Sequence, residues 1–573
     1  MRFRGNVRIV ILLFCCVIVF CSLLGRLYFL QQYKTLDFMQ LARFQHLSKV
    51  QEHPQRGKIL DRNGKPLAVN LIVDSVFADP RKVTDPHLCA YHLSEILGVD
   101  EKKLYERLTR KKSFVWVKRH VLKETTEQIA ALKLDGIFFK EEITRYYPKE
   151  SIASHILGFV GIDGKGLEGI EAALNSELQG EMGWKIVTKD AKRREVAHYM
   201  PTYKPAKNGN NVELTIDEVI QYIAESELQK GFEKHQPEWA GVIVMRPYTG
   251  EILAMATRPT YNPNYFGDYP TENRRNRIIS DIFEPGSTFK IISCSAALNE
   301  GAVRFDDVFD CENGAFRVFR HTLHDSHPYG LLTVPEIIAV SSNIGTAKIA
   351  MNLGQDKLYE YLKRYEFGDS PDLVLHGEEG GILRPLKSWS GLSIVCIPMG
   401  QEISVSALQM VKAVSTIAND GTLMKPYVLK KITSPEGEVL YEGKPQAVRE
   451  VISPKTAKQM NEALKLVVAR GTGLNAALEE YAVAGKTGTA QKVVNGRYSH
   501  SKFVGSFIGY VPADNPEITI MVVLDAPKGQ YYGGTVAAPI FKEVARKVLQ
   551  YLEIPPEQNN QTVSTNQQGN GRI

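Results

Sequence analysis

Residues 9 to 25 read IVILLFCCVIVFCSLLG, a run without a charge, and Arg26 separates it from four more apolar or aromatic positions, Leu27 to Leu30. A helix needs about 20 apolar residues to cross a bilayer, and an arginine near the end can snorkel to the interface. The pattern predicts a cytoplasmic tail over 1–8 and a membrane anchor over 9–30. Arg2, Arg4 and Arg8 precede the run, so the positive-inside rule keeps the N-terminus in the cytoplasm and everything after about residue 30 outside the membrane. A cleaved signal peptide is the rival reading. The residues that follow, GRLYFLQQY, offer no small-x-small cleavage site.

Beyond the anchor the periodicity changes several times. Residues 31–235 mix short strand patterns with helical ones, which predicts an elongated α+β module. Within it, RGKILDRNGKPLA (56–68) holds an Asn63-Gly64 hairpin signal, and two glycine-rich stretches stand at 158–161 and 164–169. A second pattern runs over 236–554. AGVIVMRPYTGEILAMAT (240–257) reads as two strands around a turn. Helical stretches follow over 287 to about 299, with Gly301 as a stop, then over 334–365 and 406–419. VAGKTGTAQKVV, FVGSFIGYVP and EITIMVVLDAP return to strands, and 538–552 closes with a helix. Strands, helices, strands and a final helix predict an α/β sandwich with one mostly antiparallel sheet. Residues 555–573 are polar, with Val563 and Ile573 their only apolar side chains, and are expected to be disordered. There is no internal repeat of fixed period.

Composition adds limits. The chain has 573 residues, too many for one core. A net charge of +6 is small for that length and gives no case for nucleic acid. Of the cysteines, Cys15, Cys16 and Cys21 lie in the apolar run, while Cys89, Cys294, Cys311 and Cys396 are scattered, without metal or CxxC spacing. No disulfide framework is implied, and a single bridge is left open. No metal cluster or phosphate loop is visible, so no cofactor is expected.

The candidate chemistry begins at FEPGSTFKIIS (283–293). Pro285 and Gly286 make a sharp entry into a helix. Ser287 would then sit where free backbone N–H groups favour developing negative charge. Lys290, three residues on, shares its helix face. A neutral lysine could take the serine proton if burial or a neighbouring cation lowers its pKa. The plain alternative is a helix cap beside a solvated charge, and an isolated S-x-x-K is a weak motif. Ser499 and Lys502 satisfy the same pattern just before a strand, where residues three apart point to opposite faces, so that pair serves as an internal control. Two further motifs complete an ordered set: Ser341-Ser342-Asn343, beginning 54 positions after Ser287, and Lys486-Thr487-Gly488-Thr489, which opens the final strands. A serine, a lysine and an amide at a helical junction could relay a proton and hold an amide. The Lys-Thr-Gly-Thr edge offers a cation, hydroxyls and backbone donors, and Gly488 would let a ligand approach closely.

This set resembles the three motifs of penicillin-binding proteins and serine β-lactamases. RGKILDRNGKPLA, TRYYP (144–148) and GLEGIE (166–171) resemble the N-terminal module of class B penicillin-binding proteins. NRRNRIISDIFEPGSTFK and YYGGTVAAPIF (531–541) look most like the division-specific branch, the penicillin-binding protein 3 type. No appended C-terminal repeat module of the kind some sporulation relatives carry is seen. The resemblance implies a peptidoglycan D,D-transpeptidase that joins donor and acceptor stem peptides and is acylated by β-lactams. It implies Ser287 as nucleophile, Lys290 as general base, Ser341 in the relay to the leaving amine and Asn343 on the donor amide. Lys486 would supply positive potential, Thr487 and Thr489 would bind the terminal carboxylate, and the Ser287 and Thr489 N–H groups would form the oxyanion hole. Implied partners are the membrane, a SEDS-type glycosyltransferase and other divisome proteins.

Other readings stand beside it. The chemistry would suit an elongation- or sporulation-type transpeptidase, or a membrane-anchored β-lactamase, although class D β-lactamases are far shorter. A non-catalytic divisome scaffold should have lost a motif residue, and a β-lactam sensor should have several spans. Arg246 stands where the family usually has aspartate, which puts local packing in doubt. Cys294, seven after Ser287 on the same helix face, is read as a small core residue, with a reactive thiol as the alternative.

Overall fold

The structure is a computed structural model that describes residues 3–37, 47–189, 195–196, 203–494 and 496–556. The polar stretch at 555–573 therefore lies almost entirely outside the described residues. Packing divides the chain into two compact units: residues 1–55 with 180–209, and residues 56–179 with 210–573.

The first unit holds the helix Phe3–Tyr33 and a small antiparallel sheet in which Leu47–Glu52 pairs with Gly183–Lys189. The expected anchor falls inside this helix. Its span Asn6–Tyr33 is long and apolar enough to cross a membrane, and protein covers almost none of it.

The second unit is built on a five-stranded sheet, antiparallel throughout. Across it run Ile252–Arg258, Trp239–Met245, Ile518–Asp525, Arg497–Val511 and Ala484–Val494. The central strands are buried on both faces, which is why they read as continuous apolar runs rather than alternating ones. Val242, Val244, Ile520, Val522 and Leu524 pack against the helices Glu218–His235 and Ala538–Tyr551. Ile243, Met245, Met521 and Val523 face the opposite way, toward the helices Lys290–Asn299, Ala407–Ala418 and Pro454–Arg470. The expected sandwich is present, with its site-bearing helices on this second face. The predicted helical stretch 334–365 is three helices, Val334–Val340, Asn343–Leu353 and Gln355–Arg364. Ser341 and Gly354 break it, at φ 64 and φ 84.

A seven-stranded sheet forms a second layer of strands in this unit. It contains Ile59–Leu60, Pro66–Ala78, Val115–Val121 and Ile137–Tyr146, together with Asn211–Leu214, Leu429–Thr433 and Val439–Glu442. The Asn63-Gly64 signal is a hairpin turn, with Gly64 at φ 78 and Asp61 Oδ1 accepting from the Asn63 and Lys65 N–H groups. The two glycine-rich stretches pack backbone against backbone: a Cβ on Gly158 would meet Glu168 O at 1.8 Å, and one on Gly166 would meet Glu171 O at 1.7 Å. RGKILDRNGKPLA, TRYYP and GLEGIE converge on one buried cluster. Arg56 Nε and Arg145 Nε each donate to a different oxygen of Glu171 at 2.6 Å. The Tyr147 hydroxyl adds a third donor at 3.3 Å. Both guanidinium groups also donate to carbonyls: Arg56 to Glu171 O at 2.8 Å, and Arg145 to Gly57 O at 2.8 Å. Glu171 is fully buried. In the turn at Arg246, its buried Nε has no hydrogen-bond partner among the described residues.

Candidate active site

Ser287 lies in a single 3-10 turn, Gly286–Phe289, that leads directly into the helix Lys290–Asn299. Gly286 makes the entry at φ 57, and the Thr288 hydroxyl donates back to Pro285 O at 2.8 Å. Ser287 is half-buried, while Lys290 is fully buried.

Lys290 Nζ donates to Ser341 O at 2.6 Å, Ser341 Oγ at 3.2 Å and Asn343 Oδ1 at 2.8 Å. These contacts bring the first two motifs together, and none of them runs to Ser287 Oγ. The Ser341 carbonyl can take part because that residue adopts the left-handed conformation, an uncommon state for a non-glycine residue that costs about 1–3 kcal/mol. Burial lowers the Lys290 pKa to about 8, against a weaker upward pull from Asp325 and the Cys294 thiol. The lowered pKa brings the free amine that a general base requires within reach near neutral pH.

Two residues at the end of a short strand, His324 and Asp325, fix the Ser-Ser-Asn helix start. Asp325 Oδ2 accepts from Ser342 Oγ at 2.6 Å, and Oδ1 accepts from the Asn343 and Ile344 N–H groups. A carboxylate here satisfies free donors at a helix N-terminus. The Asn343 amide donates Nδ2 to His324 O at 2.9 Å, which turns its Oδ1 toward Lys290. The sequence pattern did not reveal Asp325 or His324. His324 ends a short strand, His321–His324, Asp325 follows it directly, and only the fold brings them to the motif.

The third motif occupies the strand Ala484–Val494 at the edge of the five-stranded sheet, paired Lys486↔Ile508, Thr487↔Phe507, Gly488↔Ser506 and Thr489↔Gly505. It runs beside the nucleophile turn. A Cβ on Gly488 would meet Ser506 Oγ at 2.4 Å, Thr288 Cγ2 at 2.9 Å and Pro285 O at 3.0 Å. The close approach at Gly488 is made by Ser506 on the paired strand and by the nucleophile turn. Thr487 Oγ1 is 2.7 Å from the Thr472 hydroxyl, and Thr489 Oγ1 accepts from the Gly533 N–H at 3.1 Å. Thr472 is a second residue the motifs did not point to.

Lys486 is fully buried, and among the described residues its Nζ reaches only Thr487, at 3.3 Å to O and 3.5 Å to Oγ1. Burial and the Lys290 charge both depress its pKa. Two buried lysines near one another cannot both carry a full charge cheaply, so protonation of one favours the free amine on the other. Cys294 is buried in the same region, and burial pushes its thiol up to about 12. That is the state of a core residue, not a nucleophile. The four scattered cysteines are free thiols. The internal control also separates. Ser499 and Lys502 lie in the strand Arg497–Val511, where Lys502 Nζ bonds Glu238 and Ser499 Oγ accepts from the Lys502 backbone N–H at 3.0 Å.

Comparison with known proteins matches residues 240–546 to the penicillin-binding protein transpeptidase domain and residues 51–214 to the penicillin-binding protein dimerisation domain. Stage V sporulation protein D of Bacillus subtilis is 38% identical over 551 residues, 95% of this chain and 85% of that protein. The peptidoglycan D,D-transpeptidase FtsI of Escherichia coli is 32% identical over 560 residues, 96% of this chain and 92% of that protein. Among solved structures, penicillin-binding protein 3 of Mycobacterium tuberculosis complexed with aztreonam superposes with a TM-score of 0.70 at 27% identity, covering 89% of this chain and 98% of that one.

Proposed function

The chain belongs to the class B penicillin-binding proteins and is a peptidoglycan D,D-transpeptidase; on that premise we propose how its residues divide the work and where it acts. The fully buried Lys290, held between Ser341 and Asn343 with no carboxylate in contact, carries the reading.

Free Lys290 Nζ takes the Ser287 hydroxyl proton as Oγ attacks the carbonyl carbon of the penultimate D-alanine. The Ser287 and Thr489 N–H groups hold the oxyanion of the tetrahedral intermediate. The C–N bond to the terminal D-alanine then breaks, and the proton reaches the leaving nitrogen through Ser341. Asn343 holds the donor amide, Lys486 supplies positive potential, and Thr487 and Thr489 hold the terminal carboxylate before it departs. The amine of a second stem peptide attacks the acyl carbon, forms the cross-link and releases Ser287. A β-lactam acylates the same serine.

The chain comprises an anchor (9–30), a non-catalytic module (31–235) that positions and makes protein contacts, and a catalytic domain (236–554). Arg2, Arg4 and Arg8 support an N-terminus inside and a catalytic domain outside. The division-type segments NRRNRIISDIFEPGSTFK and YYGGTVAAPIF support a septal role, with a SEDS-type glycosyltransferase and other divisome proteins as partners.

Fluorescent penicillin tests the chemistry. The wild type forms a long-lived adduct and Ser287→Ala forms none; rapid turnover of the adduct would instead indicate a β-lactamase. Depletion in cells tests the role: filaments support division, and rounding overturns it.

A further inference from the structure

The turn that carries Ser287 is gripped from one side by the segment around residues 400–405. Phe283 N donates to Val405 O at 3.0 Å, Val405 N to Phe283 O at 2.9 Å and Gly286 N to Gly400 O at 3.1 Å. The fit is close enough that a Cβ on Gly400 would lie 2.2 Å from Gly286 O. Glu402 within this segment holds φ 61, which a non-glycine residue keeps only when its surroundings impose it. The Glu402 carboxylate is occupied elsewhere, by Arg384 and by Ser393 Oγ at 2.7 Å.

Glu284 leaves this ladder three residues before the nucleophile. Its Oε1 accepts from the Glu402 backbone N–H at 2.9 Å and from the Tyr498 hydroxyl at 3.1 Å, while its Oε2 is buried without a partner. Tyr498 belongs to the strand Arg497–Val511, which pairs with the strand bearing Lys486 and Thr489. The register of that hairpin shifts between Gln491 and Val493, so the regular ladder is interrupted before Tyr498 is reached. Glu284 reaches the hairpin beyond the interruption, at Tyr498. A carboxyl group kept half-buried beside another acid, with one oxygen unsatisfied, is unfavourable by itself, and burial raises its pKa. Its two contacts account for its presence.

We infer that Glu284 is a positioning residue for acylation: its carboxyl group ties the Ser287 turn to the Glu402 segment and to the hairpin at Tyr498, and so sets the nucleophile against the Thr489 N–H. This rests on the transpeptidase reading of Ser287.

The test is stopped-flow acylation of the full chain by a fluorescent penicillin, separating the first-order acylation step from the preceding dissociation constant. Wild-type labelling comes first, since its absence would sink the transpeptidase reading and not this one. Tyr498→Phe and Glu284→Ala should each slow the first-order step roughly tenfold, with the dissociation constant changed less than about twofold. The double variant should be no slower than Glu284→Ala, because the tie that Tyr498→Phe breaks is already lost in Glu284→Ala. Glu284→Gln keeps an acceptor oxygen at the same place and should restore most of the rate. Wild-type rates in Tyr498→Phe, a loss confined to the dissociation constant, or a Glu284→Gln as slow as Glu284→Ala would each overturn the inference. If Glu284→Ala does not fold, Tyr498→Phe and Glu284→Gln decide the question.

Discussion

Two buried clusters of cations in this molecule have opposite designs. In the N-terminal part, Arg56 and Arg145 share the two oxygens of Glu171, and backbone carbonyls take further donors. In the catalytic part, Lys290 and Lys486 are equally buried, but the groups they touch are hydroxyls, carbonyls and an amide. Asp325 acts on Lys290 from behind the Ser-Ser-Asn helix start. The first arrangement fixes charge in place. Arginine stays protonated, its planar fork matches a carboxylate, and the result is a joint between three distant segments. The second keeps charge labile: lysine shifts its pKa when buried, and without a carboxylate in contact nothing restores it. What distinguishes a structural cation from a catalytic one here is the partner, not the depth.

The largest effect is expected where the contrast is sharpest. Lys290→Met should reduce acylation between about 10²- and 10⁴-fold, measured by penicillin labelling, since it removes the general base. Stability should hold or rise in a thermal melt, because an apolar side chain replaces a buried cation. The pH dependence has a definite sign. An unfolded lysine keeps its proton to about 10.5, whereas Lys290 releases it near 8. Between these values the unfolded chain binds more protons, so wild-type stability gains from this residue as pH rises, and Lys290→Met should lose that gain.

Glu171→Gln should show the reverse. Two buried guanidinium groups lose their counter-charge, and stability should fall by about 3–5 kcal/mol in chemical denaturation. The fraction that remains folded should acylate at the wild-type rate. A Lys290→Met protein as destabilised as Glu171→Gln would break the comparison.

Asp325→Asn refines it with a smaller change. Loss of the cap should slow acylation roughly tenfold. Because the Asp325 charge raises the Lys290 pKa, its removal should move the rise of acylation rate with pH to lower pH. An unchanged midpoint across pH 6–10 would show that Asp325 acts on geometry alone.

Much of this was legible in the chain. The anchor, the hairpin at Asn63-Gly64, the doubly buried strands and the helix after Ser287 all follow from local period and turn chemistry. The three motifs announced themselves by order and spacing. What was not legible depended on contacts between segments far apart. His324 ends a four-residue strand and Asp325 follows it, Thr472 follows a helix, and Glu284 looks like an ordinary residue before a turn. At Gly488 the sequence showed the need for a missing side chain but not that Ser506, Thr288 and Pro285 are the protein atoms a Cβ would meet. Likewise the sequence implied a lysine beside its serine, and Lys290 instead spends its donors on Ser341 and Asn343.

The seven-stranded sheet bears on the order of assembly. Val212 pairs with Ile59 on one side and with Ile432 on the other. The strand that completes the N-terminal part is thus supplied from deep inside the catalytic sequence, more than 200 residues later. During synthesis the early strands must wait, unpaired at that edge, until residue 433 has emerged. A cut near residue 235 would strand Leu429–Thr433 without its neighbour and leave Asn211–Leu214 with an open edge, so neither fragment would inherit the stability of the whole.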